Sequence, residues 1–485
     1  MPHFSPFIVA RPARPLATLG LLLATAGAAH AQMPAPASFA MPSVYSTGAY
    51  SSPSDVAVAD LNNDGQPDIV TANGGTNAVG VLLGQAGGGF AAVTSYSAGT
   101  NSQPASVAVS DVNGDGRPDI VTANLIGSSA GVLLGQVGGG FAAVSTYPTG
   151  ANSNPRSVVV ADINQDGRVD LVTANYYSNS AGVLLGQAGG GFAAVSTYST
   201  GIGPAGVAVA DVNSDGRLDI VTSNYNNGTG AVGVLLGLAS GGFAAVNSYS
   251  AGGNFPNDVA VADVNGDSRL DIVTANNGTG TVGVLLGQVS GGFATVSTYP
   301  SGSDLRSVAV ADMNGDGRRD IVTTNSSAGT VGVLLGLASG GFAAVSNYLT
   351  ATIRDYPIGI AVADVNGDGR LDIVAANSGN GTAGVLLNTG TFTPLAAAPG
   401  AEVAEASLFP NPAHGGFKVQ LPAARGAASA RAELLNALGQ VVCQQDAGLL
   451  ADETFSFATT GLAPGLYTLR VQAGSHTLTK RVVLE

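Results

Sequence analysis

Short aspartate-rich segments are the part of this sequence whose residue types and spacing could bind a metal ion. One of them reads DVNGDGRPD from Asp111 to Asp119, with oxygen-bearing side chains at positions 1, 3, 5 and 9 and glycine at position 6. Ca²⁺ prefers roughly six to eight hard oxygen ligands, and side chains at alternate positions of a loop can surround one ion. Position 7 would add its backbone carbonyl, and glycine at position 6 permits the positive φ of a sharp turn. The segment is therefore a candidate calcium-binding loop.

The loop occurs seven times, at intervals of 49 to 52 residues. In the fifth copy Ser268 stands where the other copies have glycine, and we expect that site to be weaker because serine is strained in a left-handed conformation. The sequence predicts up to seven bound Ca²⁺ ions. The predicted ligands are Asp60, Asn62, Asp64, Asp68, Asp111, Asn113, Asp115, Asp119, Asp162, Asn164, Asp166, Asp170, Asp211, Asn213, Asp215, Asp219, Asp263, Asn265, Asp267, Asp271, Asp312, Asn314, Asp316, Asp320, Asp364, Asn366, Asp368 and Asp372.

Two other structures could contain a loop of this kind. A helix-loop-helix calcium site needs a carboxylate at position 12, whereas here that position lies in a β-branched run, as at Thr122, and residues 32–401 contain no glutamate. A single DxNxDG segment would also fit an Asx-rich turn that binds nothing. Seven copies at regular spacing, each with an aspartate at position 9, favour the calcium site.

The charge balance favours cations as partners. The formal net charge is −14, which argues against nucleic acid and anionic membrane surfaces. Residues 32–400 hold 25 Asp, no Glu and 10 Arg or Lys, and 21 of these Asp lie in the loops. Seven Ca²⁺ ions would nearly neutralise this region and would together add several kcal/mol of stability. With one cysteine in the chain, calcium rather than an internal disulfide would stabilise it.

Four short strand-like runs in each repeat must position the loop. VAVAD and FAAVSTY alternate between apolar and polar residues, while DIVTAN and GVLLG resemble buried strands. Four strands in a repeat of this length are typical of one β-propeller blade. The seventh repeat lacks the tyrosine of its fourth run, which appears instead as Tyr45, so we expect residues 39–48 to supply the outer strand of the last blade. The predicted fold is therefore all-β, with a seven-bladed β-propeller at residues 32–397.

The two ends of the chain differ from the repeats. Residues 1–31 combine two arginines, a short apolar stretch and an A-x-A site, which predicts a cleaved signal peptide. An alanine-rich linker at 398–406 leads to residues 407–485, where strand-like runs with Pro and Gly turns predict a small immunoglobulin-like β-sandwich. No other segment is long and apolar enough to cross a membrane, so we expect no transmembrane helix in the mature chain.

The repeats resemble the FG-GAP or VCBS repeats of calcium-binding seven-bladed propellers, of the type found in integrin α chains. The resemblance rests on DVNGDGRPDI, GVLLG and GGGF and covers about residues 39–397. It implies that the loop joins the first and second strands of each blade. The integrin GAP triplet is absent, with TAN in its place, so integrin-type ligand recognition is not implied.

Residues 407–485 resemble the type A C-terminal sorting domain of the type IX (Por) secretion system of Bacteroidetes. The motifs LFPNPAHGG, NALGQVV, GLAPGLYTLRV and KRVVLE occur there in order. The resemblance implies export through the periplasm and the outer membrane, with the type IX secretion machinery as a partner. It implies an extracellular or outer-membrane-surface location.

The repeat region lacks the side chains that most enzymes use. Residues 32–397 contain no His, Cys, Glu or Trp, so we expect no enzyme. We expect instead a binding or adhesion module for an extracellular protein or glycan, because propeller loops commonly carry recognition. We also expect the protein to be a monomer. A calcium-assisted polysaccharide lyase that relies on Asp, Tyr or Arg, and a purely structural surface protein, are the alternatives. The aromatic residues that fall outside the repeat pattern either pack within their loops or contact a ligand. They are Tyr176, Tyr177, Tyr225, Phe255 and Tyr356.

Overall fold

The computed structural model describes residues 37–86, 88–188, 190–225, 229–351 and 355–390, together with the strands between residues 407 and 484. The predicted signal peptide and the predicted linker lie outside the described residues. Within the described ranges every regular element is a β-strand except one short 3₁₀ turn, Ser326–Ala328. None of these residues form a helix long and apolar enough to span a membrane. The all-β prediction is confirmed.

Each repeat forms an antiparallel four-stranded sheet, and strands are numbered here in chain order. The first strands are β2 (Pro53–Ala59), β6 (Pro104–Ser110), β10 (Pro155–Ala161), β14 (Pro204–Ala210), β18 (Pro256–Ala262), β22 (Leu305–Ala311) and β26 (Pro357–Ala363). The second strands are β3 (Asp68–Asn73), β7 (Asp119–Asn124), β11 (Asp170–Asn175), β15 (Asp219–Asn224), β19 (Asp271–Asn276), β23 (Asp320–Asn325) and β27 (Asp372–Asn377). The third strands are β4 (Ala78–Leu82), β8 (Ser129–Leu133), β12 (Ser180–Leu184), β16 (Ala231–Leu235), β20 (Thr281–Leu285), β24 (Thr330–Leu334) and β28 (Thr382–Leu386). The fourth strands are β5 (Thr94–Ser97), β9 (Ser145–Pro148), β13 (Ser196–Ser199), β17 (Asn247–Ser250), β21 (Ser297–Pro300), β25 (Ser346–Leu349) and β1 (Ser43–Ser46).

The sheets form a closed ring. Each first strand contacts the first strands of the two neighbouring sheets, and β26 contacts β2, so the first strands surround a central axis. In the last sheet β1 pairs antiparallel with β28, with Tyr45 opposite Ala383. The prediction that residues 39–48 supply the outer strand of the last blade is confirmed. Phe39 forms a bridge with Asn388, as the phenylalanine of each other repeat does with the end of its third strand.

The hydrophobic core lies between neighbouring sheets. Second strands are buried at every position, and third strands at nearly every position, because both faces of each sheet are covered. Val70 and Val81 of one blade pack with Ile120 and Leu133 of the next. Further out, each fourth-strand tyrosine meets the phenylalanine of the next blade edge to face, with ring centroids 4.8 to 5.3 Å apart. Identical contacts therefore repeat around the ring.

The C-terminal region contains two further antiparallel sheets among the described residues. One consists of β29 (Ser407–Phe409), β30 (Gly416–Gln420) and β33 (Thr454–Ala458). The other has the order β32 (Val441–Gly448), β31 (Ser429–Leu435), β34 (Gly465–Ala473) and β35 (His476–Leu484). On β31, Ala432 and Leu434 are buried while Arg431 is exposed, so one face of the sheet is covered. The immunoglobulin-like arrangement of the two sheets stays a prediction.

Candidate functional site

The aspartate-rich loop joins the end of the first strand of each blade to the start of the second. In the second loop Asp111 Oδ1 accepts the N–H of Asp115 at 3.1 Å and Oδ2 accepts that of Gly116 at 2.7 Å. Asn113 Oδ1 accepts the N–H of Asp115 at 2.9 Å, and Asp115 Oδ1 accepts that of Arg117 at 3.0 Å. Equivalent bonds form in the other loops. The side chains at positions 1, 3 and 5 therefore fold the backbone into successive Asx turns.

Two positions of the loop adopt a left-handed backbone conformation. Position 6 has a φ of 82° at Gly116 and 67° at Ser268. Position 4 also has positive φ, with 58° at Asn63 and 59° at Gln165. The sequence pattern revealed only position 6, because position 4 holds glycine in some copies and Asn, Gln or Ser in others.

The aspartate at position 9 has a role that the sequence did not suggest. Asp119 is fully buried, and its Oδ1 accepts the N–H of Gly135 at 2.7 Å while its Oδ2 accepts that of Val112 at 2.9 Å. Burial raises the pKa of this carboxyl, the two backbone N–H groups oppose that rise, and the carboxylates at positions 5 and 1 add to it. The same causes raise the pKa to about 7 at Asp320 and to about 6 at Asp372. Each position-9 carboxylate thus ties the loop to the end of the third strand of its own blade.

Position 7 provides a second tie. Arg117 Nε donates to the carbonyl of Gly135 at 2.9 Å, and its guanidinium pairs with Asp115. Five other loops contain the same arginine pair, whereas the first loop has Gln66 at this position. These pairs are partly exposed and each contributes little stability, but they compensate part of the negative charge of the loops.

The loop side chains fit Ca²⁺ by their chemistry, since the donors at positions 1, 3 and 5 and the carbonyl at position 7 are all oxygens. Across the residues that the structure describes, no group of three or more Asp, Glu, His or Cys side chains is arranged to hold a metal ion. This agrees with the position-9 carboxylate, which is directed at two backbone N–H groups. The 28 predicted calcium ligands stay a prediction.

The variable connections lie at the opposite end of the sheets from these loops. In the first blade Ala59 pairs with Asp68 at the loop end, and Pro53 pairs with Asn73 at the other. The connections between second and third strands begin after Asn73 and its counterparts. All five predicted ligand-contacting aromatic residues therefore belong to the face without the aspartate-rich loops.

Four of those five aromatic residues form one cluster on the third, fourth and fifth blades. Tyr176 meets Tyr177 and Tyr225 edge to face at 5.5 and 6.0 Å, and Tyr225 stacks on Phe255 at 4.5 Å between ring centroids. Tyr177 is 67% exposed. Tyr356, on the seventh blade, has no ring contact with these four among the described residues and is 45% exposed. Ring contacts therefore join four of the five residues, and ligand contact by all five stays a prediction.

The residue directly before each first strand has a positive φ in all seven blades. These residues are Ser52, Gln103, Asn154, Gly203, Phe255, Asp304 and Tyr356. Only one is glycine, and a bulky residue such as Phe255 or Tyr356 is uncommon in this conformation. The sequence did not reveal this feature because the seven residues share neither size nor polarity.

Family models match most of the chain. FG-GAP-like repeats are found at residues 60–122, 125–173, 163–222, 211–274, 263–323 and 312–375, and an FG-GAP repeat at residues 104–141. A secretion system C-terminal sorting domain is found at residues 407–485. Both resemblances predicted from the sequence are confirmed. No curated protein matches the chain.

The solved structures that match this chain have low sequence identity to it. A protein from Lactobacillus plantarum is 15% identical with a TM-score of 0.45, and the match covers 62% of this chain and 86% of that chain. A candidate 6-phosphogluconolactonase from Bacteroides uniformis is 13% identical with a TM-score of 0.49, covering 64% and 89%. A functionally unknown protein from Desulfotomaculum acetoxidans is 13% identical with a TM-score of 0.42, covering 61% and 88%. Similarity at this level carries no activity over to this chain.

Proposed function

The chain belongs to the FG-GAP-like repeat family, and on that basis we propose that it is an exported, calcium-stabilised β-propeller that binds an extracellular glycan or protein. Its C-terminal sorting domain indicates export to the cell surface or the extracellular space by type IX secretion. The same domain implies an interaction with the type IX secretion machinery. The binding role, the class of ligand and the stabilisation by calcium are proposals.

The aromatic cluster is the observation that supports a binding role. The blades repeat nearly the same residues, so side chains needed only for packing should recur in each blade. Tyr176, Tyr177, Tyr225 and Phe255 do not recur, yet they meet on three consecutive blades. An exposed ring beside others offers a flat apolar surface with polar edges, which suits a sugar ring or a peptide side chain.

The test is binding of the full chain to a glycan array and to extracellular proteins, before and after Tyr177→Ala. This variant removes an exposed ring and leaves the Tyr225–Phe255 stack in place. Tyr50→Ala is the matched control, because Tyr50 is 93% exposed at the same end of the first blade but outside the cluster. Binding lost in the first variant and kept in the second supports the proposal. Binding that both variants retain contradicts recognition by the cluster, and a chain that binds nothing favours a purely structural role.

Calcium is proposed to stabilise the ring through the aspartate-rich loops. The oxygen-only donors and the acidic charge of the repeat region support this role. The thermal midpoint of the full chain should rise steeply from EDTA to millimolar calcium. Asp115→Ala should reduce that rise by about the contribution of one of the seven proposed sites. Equal magnesium serves as the control for ionic strength. A midpoint that calcium does not change would show that the loops are turns only.

A catalytic role has weaker support. Residues 32–397 contain no His, Cys or Glu, so a lyase would depend on Asp, Tyr or Arg for proton transfer. Incubation with acidic polysaccharides and measurement of the ultraviolet absorbance of unsaturated uronate products tests this alternative. New absorbance that depends on calcium would replace the binding role with an enzymatic one.

A further inference from the structure

A cavity of about 430 Å³ lies among the beginnings of the first strands, on the face that carries the aromatic cluster. Its wall includes the second and third residues of the first strand in every blade, and Tyr177 of the cluster also lines it. Cavities of this size commonly hold small molecules or single sugar residues. We refer to it as the axial cavity.

The residues lining the axial cavity differ from blade to blade, although the strand that follows them is nearly constant. Packing explains the constant part, since those side chains fill identical spaces between identical blades. Packing between like blades does not require the differences at the second and third positions. In blade order these pairs are Ser54–Asp55, Ala105–Ser106, Arg156–Ser157, Ala205–Gly206, Asn257–Asp258, Arg306–Ser307 and Ile358–Gly359.

The two aspartates of the cavity are already engaged by the ring. Asp55 Oδ1 accepts the N–H of Val56 at 2.9 Å, and its Oδ2 accepts the N–H of Val107 in the next blade at 3.0 Å. Asp258 Oδ2 likewise accepts the N–H of Val308 in the next blade at 3.0 Å. Their carboxylates therefore connect neighbouring blades, and neither forms an ion pair with an arginine among the described residues.

The two arginines of the cavity donate few hydrogen bonds to the described residues. The guanidinium carbon of Arg156 lies 3.6 Å from the ring centroid of Tyr176, and no hydrogen bond or ion pair to Arg156 occurs in the described part of the chain. Arg306 forms a partly exposed ion pair with Asp304, with 2.9 Å between Nε and Oδ1, and its buried Nε has no hydrogen bond of acceptable geometry. Burial lowers the pKa of Arg156, and the charge of Arg306 lowers it further, so the two cations affect each other. Donor-rich guanidinium groups in one cavity attract an anion that can accept hydrogen bonds from both.

The rest of the wall suits hydroxyl groups. Ser54, Ser157, Asn154 and Asn257 line the cavity with small hydroxyl and amide groups, and large apolar side chains are few there. Tyr177 adds an aromatic face at the rim, where a sugar ring can stack. A ligand that fits this cavity has a carboxylate for the arginines and several hydroxyl groups for the rest of the wall. An acidic sugar meets both requirements better than an acidic peptide does.

We propose that the axial cavity binds the uronic-acid residue of an acidic glycan, with its carboxylate held by Arg156 and Arg306. The assignment rests on the proposed binding function and names the ligand class for that face. The sugar hydroxyls bond the serine and asparagine side chains of the wall, and the next residue of the glycan reaches Tyr177.

Isothermal titration of the full chain with galacturonate, galactose, sodium sulfate and hexaglutamate tests this assignment. Galacturonate should bind and galactose should bind far more weakly. Arg156→Gln and Arg306→Gln should each weaken galacturonate binding by roughly tenfold or more, which is the ordinary effect of removing one charge-assisted contact. Arg319→Gln is the matched control, because Arg319 is an exposed arginine in a loop on the other face.

The unmodified chain offers a second measurement in case an arginine variant unfolds. Galacturonate affinity should fall as sodium chloride rises, because salt screens the attraction between carboxylate and guanidinium. Equal affinity for galactose, equal or tighter binding of sulfate, or tighter binding of hexaglutamate would each overturn the uronate assignment. If the chain binds a neutral glycan on the array but no galacturonate, the uronate assignment fails and the binding function stands. If it binds nothing, both fail.

Discussion

Replacement of a position-9 aspartate should destabilise the propeller even without calcium. Asp119 is fully buried, and its two carboxylate oxygens accept N–H groups from Gly135 and Val112. Asn at this position keeps one acceptor oxygen but directs an NH₂ group at the other N–H. The lost hydrogen bond and the unsatisfied donors should lower the free energy of unfolding by about 3 kcal/mol. Because Asn also removes a buried negative charge, the net loss should be about 2 kcal/mol. We expect Asp119→Asn to lower the free energy of unfolding by about that amount.

Asp115→Asn in the same loop is the matched comparison. Asp115 is exposed, and an isosteric amide can still accept the N–H of Arg117 through Oδ1. The loss of its partly exposed ion pair should cost less than about 1 kcal/mol. In calcium Asp115→Asn should show an additional loss of stability, because Asp115 is a proposed ligand and its replacement removes metal-dependent stability.

Urea denaturation followed by circular dichroism, in EDTA and again in millimolar calcium, measures both effects. The expected result is a large calcium-independent loss for Asp119→Asn and a small, mainly calcium-dependent loss for Asp115→Asn. Equal losses in EDTA would refute the structural role assigned to position 9. An Asp119→Asn variant that loses stability only in calcium would instead make this residue a metal ligand.

Three further changes test the backbone and the axis of the ring. Ser268→Gly removes a serine from a φ of 67° and should raise the free energy of unfolding in EDTA by about 1 kcal/mol; an unchanged value would show that this loop relaxes its backbone. Burial raises the pKa of Asp55 to about 6, so its contribution to stability is full below about pH 4 and is lost as pH rises through about 6. Asp55→Asn should therefore flatten the fall in thermal midpoint between pH 4 and 8 in EDTA, and parallel curves for variant and parent would contradict that pKa. A Cβ at Gly359 would lie 2.5 Å from Asp55 Oδ1 and 2.6 Å from its Cα. Gly359→Ala should cost about 2 to 3 kcal/mol, and Asp55→Ser should not rescue it because the backbone clash persists; rescue would place the clash on the side chain alone.

The sequence predicted the architecture well because the same pattern of strands and loop occurs seven times. Each strand has its own pattern of apolar residues, and each loop has glycine and aspartate at regular positions. The displaced Tyr45 predicted how the ring closes, and β1 does pair with β28. These features depend on local periodicity and on the need to cover sheet edges, so they can be read along the chain.

The functions of single residues in the repeat were harder to predict. The regular spacing of the ninth-position aspartate predicts a metal ligand, which stays a prediction, and the structure adds that its oxygens accept N–H groups from its own loop and from the end of the third strand. Repetition of a residue indicates that it is important but does not indicate which group it contacts. The partner lies 16 residues away along the chain and becomes a neighbour only when the sheet forms.

The sequence by itself determined the blades, the loops, the C-terminal sorting domain and the class of fold, because these follow from periodicity, composition and short motifs. Only the tertiary structure decided that Arg156 and Arg306, on different blades, line one cavity and that Tyr177 borders it. Closing the ring brings the beginning of every first strand to the same axis, whatever its distance along the chain. The positions where the repeats differ therefore meet in one place, and that meeting cannot be read from any single repeat.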